Sequence, residues 1–192
     1  MITTTHLTEY YNNILKRVQG SEKAPYPFTK DLPLSQFEWK NLVEVCSIIK
    51  ANSNRFNMAT WHDKKESCGT VHCIAGWAAS LMVADTNTNT FSYNVEEIPE
   101  QHYESIMNTN MSYAPGIFAV STIASYMLSN YLYPFFFLTT AHLGLPLDYD
   151  IETVIMEELI EPILEIASQE CLTLSQEVTQ FIEKAKQETC LA

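Results

Sequence analysis

The sequence predicts an all-α protein, an irregular helical bundle around one central buried helix at about residues 70–84, with little or no strand. Three observations carry that expectation. Val71, Cys73, Ile74, Trp77, Ala78 and Met82 place apolar groups almost all the way round a helix, the pattern of a helix without a solvent face. Helix start and stop signals recur along the chain, and strand signals are confined to about Thr90 to Val95. With 192 residues and a hydrophobic fraction of 46%, the chain can bury one core, so a single helical domain is expected over 1–192.

Taken in order, Leu7, Tyr10, Tyr11, Ile14, Leu15 and Val18 recur at helical spacing until Gly20. Residues 21–33, with three prolines, form a linker. Ser35-Gln36-Phe37-Glu38 is a capping box opening a helix to about Asn52. Arg55 to Ser67 is polar and loop-like apart from Phe56, Met58 and Trp61. Thr70 is a natural N-cap for the central helix, and Gly76 within it implies a close crossing, because an interior Gly costs about 1 kcal/mol against Ala.

Pro99 to Met107 reads as a short helix, and Ile117 to Ser129 and Tyr133 to Leu143 as two more. Asp150 caps a helix from Ile151, which Pro162 should break or kink by removing an amide donor. Thr173-Leu174-Ser175-Gln176 is a second capping box, opening a last amphipathic helix to about Gln187.

Charge narrows the function classes. The net charge is −12, and from Glu66 to Glu183 there are sixteen acidic residues with no Lys or Arg. No basic stripe exists for nucleic acid, so no nucleic-acid partner is expected. Ser105 to Leu147 carries no charged residue, yet Ser121, Thr122, Ser125, Ser129, Asn130 and Pro134 interrupt the roughly 20 apolar residues a membrane span needs. The expectation is a soluble, acidic protein with no membrane association. Five scattered cysteines and an N-terminus without a basic-then-apolar leader point to a reduced, cytoplasmic setting.

Candidate chemistry gathers between Trp61 and Trp77. With a helix opening at Thr70, Cys68 would lie just before its positive end, where a thiolate is favoured. His62 or His72 could then serve as its base, making Cys68, His62 and His72 the catalytic candidates. The competing reading makes Cys68 and Cys73 small packed hydrophobes. Cys68, Cys73, His62 and His72 are zinc-ligand types, but His72 and Cys73 adjacent on one helix diverge by about 100°, so no metal and no cofactor is expected. Asp148, Asp150 and Glu152 imitate the start of a calcium loop, but Thr153 and Leu159 stand where Gly and Glu are needed.

The run Phe56-Asn57-Met58-Ala59-Thr60-Trp61, followed by Cys68-Gly69-Thr70-Val71-His72-Cys73-Ile74-Ala75-Gly76-Trp77-Ala78, resembles a recurring group of uncharacterised bacterial and phage proteins. Members of that group carry a later Ala-x-x-Leu-Leu-Gly-Leu segment. Ala124 to Asn130 is its counterpart here, with Ser129-Asn130 in place of Gly-Leu. The resemblance implies a bacterial source and carries no activity. A weaker likeness runs to papain-like peptidases, which open a helix with Cys-Gly and need a downstream His on a strand. Here only His102 and His142 follow, both in helical contexts.

The expected function is that of a non-enzymatic helical protein that binds a protein or small-molecule partner near Trp61, His62, Cys68, Thr70 and Trp77. The alternative is a cysteine-dependent hydrolase or transferase.

Overall fold

Ile74 to Met82 has almost no polar side chain, so it has nowhere to go but inside, and the rest of the chain is arranged to cover it. The computed structural model describes residues 34–58, 62–65, 69–86, 90–108, 117–129, 132, 135–136 and 150–189. Among them the order is α1 (Gln36–Ala51), β1 (His62–Lys65), β2 (Gly69–His72), α2 (Ile74–Met82), β3 (Ser92–Asn94), α3 (Glu100–Met107), β4 (Ile117–Ala119) and α4 (Val120–Leu128). The chain closes with α5 (Ile151–Ile155), a π turn (Met156–Ile160), α6 (Glu161–Gln169) and α7 (Gln176–Thr189). The protein is predominantly helical, as the periodicity requires. The helix expected over 7–18, the linker at 21–33 and most of the helix expected over 133–143 lie outside the described residues.

α2 packs chiefly against α4 and α1, and every residue of it except Leu81 is buried. Ala75, Gly76, Ala78 and Ala79 keep its surface shallow, so neighbouring helices approach closely. Ser121, Thr122 and Ser125 of α4, which break the apolar run in the sequence, are all buried. No described helix is long and apolar enough to cross a membrane.

α1 starts where its capping box places it. Ser35 Oγ accepts from Glu38 N at 3.2 Å, and the Glu38 carboxylate accepts from Ser35 N at 2.7 Å. Asp150 caps α5 by accepting from Thr153 N at 3.0 Å, which accounts for that acid without a calcium ion. The final helix is capped by Ser175, whose Oγ accepts from Val178 N at 3.2 Å, rather than by the Thr173 box. Pro162 does not end its helix. It lacks the amide that would donate to Glu158, and the π turn immediately before it shifts the hydrogen-bond ladder across that gap.

Three expectations are corrected. The central helix does not begin at Thr70: residues 69–72 form β2, paired antiparallel with β1, and the N-cap is Cys73. Residues 62–65 are therefore strand where a polar loop was expected. The stretch from Ile117 also opens as strand, because Ile117–Ala119 pairs with β3, the strand signalled near Thr90 to Val95. α4 ends where expected, with Ser129 as its C-cap at φ of 93°, a conformation that favours glycine.

Gly76 is buried along with its neighbours on α2. Gly76→Leu should cost about 1–3 kcal/mol through overpacking and lower the melting temperature by several degrees. A variant that melts with the wild type in a thermal scan would remove the close-crossing account.

Candidate functional site

The corner between residues 55 and 93 is built by strand pairing. β1 and β2 align His62 with His72, Asp63 with Val71, Lys64 with Thr70 and Lys65 with Gly69. His72 is held on its other side as well, because Asn57 N donates to its carbonyl at 3.0 Å and Phe56 bridges to it in parallel. Both imidazoles are thereby carried into the core, His62 at 3% exposure and His72 at 0%.

The two rings meet edge to face with Nδ1 atoms 2.6 Å apart. His62 Nε2 lies 3.2 Å from the Tyr93 hydroxyl, and His72 Nε2 lies 3.3 Å from the Thr86 carbonyl oxygen. That carbonyl fixes the direction of the whole chain, since it can only accept. His72 must donate from Nε2, so in the neutral ring its Nδ1 accepts. His62 then donates from Nδ1 and accepts at Nε2 from Tyr93. All four ring nitrogens have partners.

Arg55 completes the cluster with no solvent exposure. Its guanidinium donates to the Ala185 carbonyl at 3.1 Å and to the Thr86 carbonyl, and lies 3.4 Å from the Glu188 carboxylate. Its Cζ stands 5.3 Å from the centre of the Trp77 ring, within cation–π range. Trp77 also meets His72, at 4.3 Å between ring centres, and Phe181 edge-on at 6.3 Å.

Burial dominates the electrostatics. It lowers His62 to about 4, against an opposing pull from Asp85. It lowers His72 to about 3, helped by His62 and Arg55 and opposed by the Thr86 carbonyl. Both rings are neutral at pH 7, as the one-directional chain requires. The cysteine at the helix N-terminus is Cys73, whose Sγ accepts from Gly76 N at 3.5 Å. Burial pushes its thiol up to about 11, outweighing the lowering by the amides at that helix end. The helix dipole therefore does not make a thiolate here.

The structure thus brings His62, His72 and Trp77 together. Thr70 sits mid-strand in β2 instead of capping the helix, and Trp61 and Cys68 lie outside the described residues. The helix opens five residues after Cys68, so the dipole argument for that thiol is lost, and with it the likeness to peptidases that open a helix with Cys-Gly. The argument that His72 and Cys73 diverge on one helix also lapses, since His72 ends a strand. Among the described residues no three His, Cys, Asp or Glu side chains converge as a metal site.

Arg55, Tyr93, Thr86 and Glu188 were not anticipated. Nothing local singles out Arg55, whose guanidinium reaches Thr86, Ala185 and Glu188, 31 to 133 residues away in sequence. An apolar cavity lies elsewhere, bounded by Cys46, Ile74, Phe135, Phe136 and Ile160, and it is no larger than a water-sized sphere. No protein-family model, no curated protein and no solved structure matches the chain.

Arg55 joins a fully buried guanidinium to the partly exposed Glu188 and to two carbonyls, and losing a hydrogen bond to a charged group costs about 1.5–3 kcal/mol. Arg55→Met should lower the denaturant midpoint accordingly and speed amide exchange in the last turns of α7, where Ala185 and Glu188 lose their donor. Exchange in α7 unchanged from wild type would show that the guanidinium does not hold that helix.

Proposed function

We propose that this chain is a binding or interaction protein that presents the β1–β2 hairpin to a protein or small-molecule partner, and not a cysteine-dependent hydrolase or transferase. The supporting observation is the commitment of the imidazoles. A Cys68 nucleophile would need His62 or His72 as an available base, and each ring nitrogen already has a partner. Protons also bind both rings poorly, so neither is poised near neutral pH for acid–base work. What the same network does well is fix two short strands rigidly on a helical scaffold. That is the arrangement from which recognition elements are presented.

The test is alkylation of Cys68 by iodoacetamide, resolved by mass spectrometry across pH 5 to 9. The expected rate rises with pH as for an ordinary thiol of pKa about 8.5 and is the same in His62→Gln. Fast labelling that persists to pH 6 and disappears in His62→Gln would overturn the proposal in favour of the cysteine enzyme.

A further inference from the structure

A direct hydrogen bond between two imidazoles survives only while one of the two facing nitrogens is without a proton. His62 and His72 form such a bond as a directly opposed cross-strand pair, buried at the helix-proximal end of the hairpin. Through Tyr93 and Thr86 it joins both strands to β3 and to the segment after α2. We propose that this pair is an acid-operated latch, in which uptake of two protons releases β1 and β2 from the helical core while the core stays folded. The inference holds whatever the hairpin recognises.

Proton counting explains why two are needed. One added proton can be absorbed without breaking the chain. His72 then donates from Nδ1 to His62, whose own hydrogen moves to Nε2 and turns on the Tyr93 oxygen, a group that can also accept. A second proton leaves an N–H on each of the two facing Nδ1 atoms, 2.6 Å apart, and that arrangement must separate.

On balance, through burial, the surroundings oppose both protons. Facing the pair are the Arg55 guanidinium from the turn after α1, Asp85 and Thr86 from the segment after α2, and Tyr93 from β3. Glu188 from α7 is engaged with Arg55 and with the Thr86 hydroxyl. On the strands themselves the charged residues are Asp63, Lys64 and Lys65. Asp85 favours protonation of His62, and Arg55 disfavours that of His72. Glu188 is paired with Arg55, so it moderates that charge without contacting either ring. Desolvation is the largest cause at both sites.

The sign follows from the direction of the shifts. Held in the core, the rings sit near 4 and 3; released, they return to about 6.5. The latch is at full strength above pH 6.5 and weakens as pH falls toward 4. With two protons taken up per opening, the open population rises by up to about a hundredfold per pH unit in that window.

Hydrogen exchange by NMR on the full chain, from pH 7.5 to 4.5 and corrected for intrinsic rates, tests this. The β1 and β2 amides should lose protection steeply below pH 6.5, while α1 and α2 amides keep theirs. In His62→Gln, whose side chain can still accept from Tyr93 and donate to His72, the dependence should fall to about tenfold per unit. Hairpin and core losing protection together, hairpin protection that ignores pH, or an unchanged steepness in His62→Gln would each overturn the latch. Should that variant not fold, the wild-type contrast between hairpin and core amides decides alone.

Discussion

Arg55 carries a full charge where there is no water, and much of the molecule is arranged around that constraint. A guanidinium cannot shed its proton in a protein, so burial forces it to find acceptors. It finds the Thr86 carbonyl, the Ala185 carbonyl, the Glu188 carboxylate and the Trp77 face. The oxygen acceptors come from the segment after α2 and from the last turns of α7, whose negative end suits a cation, and the ring comes from α2 itself. The central helix, the terminal helix and the turn after α1 are thus tied at one point. The Thr86 carbonyl has two lone pairs, and the second receives His72. Holding that oxygen in place therefore also fixes the tautomers of both imidazoles and the role of Tyr93.

Cys73 marks the joint between the two kinds of structure. Strand β2 ends at His72 and α2 begins at Ile74, leaving one residue to turn the chain and cap a helix. A Ser or Asp would cap more strongly, since sulfur is a weak acceptor. It would also place a hydroxyl or a charge at a position with no exposure, beside Ile74, Ala75 and Trp77. A buried thiol serves the cap adequately and the core well.

The sequence was most legible where local chemistry decides the outcome. Ser35 and Asp150 cap their helices because a side-chain oxygen meets an amide three residues away. The burial of α2 follows from its having no polar face. The hairpin was not legible for a related reason: Val71, Cys73 and Ile74 join an apolar run that a buried helix and a short strand share. Thr70 and Val71 are β-branched and fit the strand, yet Thr is also a good N-cap, so the wrong boundary looked sound. The partner strand, His62-Asp63-Lys64-Lys65, has no apolar alternation to announce it. Arg55 was hidden more deeply still, because nothing local distinguishes a buried cation from a solvated one when its partners lie up to 133 residues away.

His62, His72 and Trp77, which the sequence singles out, do cluster, but their surroundings favour a different reading of them. Proximity of His62, His72 and a helix start suggests nucleophilic chemistry, and the two rings do meet, with His72 next to the helix N-cap in the chain. What reverses the interpretation is burial. An imidazole becomes a useful base when one nitrogen faces a proton source and the ring can hold the charge it acquires. Here each nitrogen is occupied, the rings are buried, and a guanidinium shares the Thr86 carbonyl with His72. Titratable groups placed under those conditions lose their value as catalysts and gain value as fixed dipoles. In that role the pair defines which strand lies opposite which, because a one-residue slip of β1 would turn His62 to the opposite face of the hairpin. It would leave His72 Nδ1 without the donor it has now.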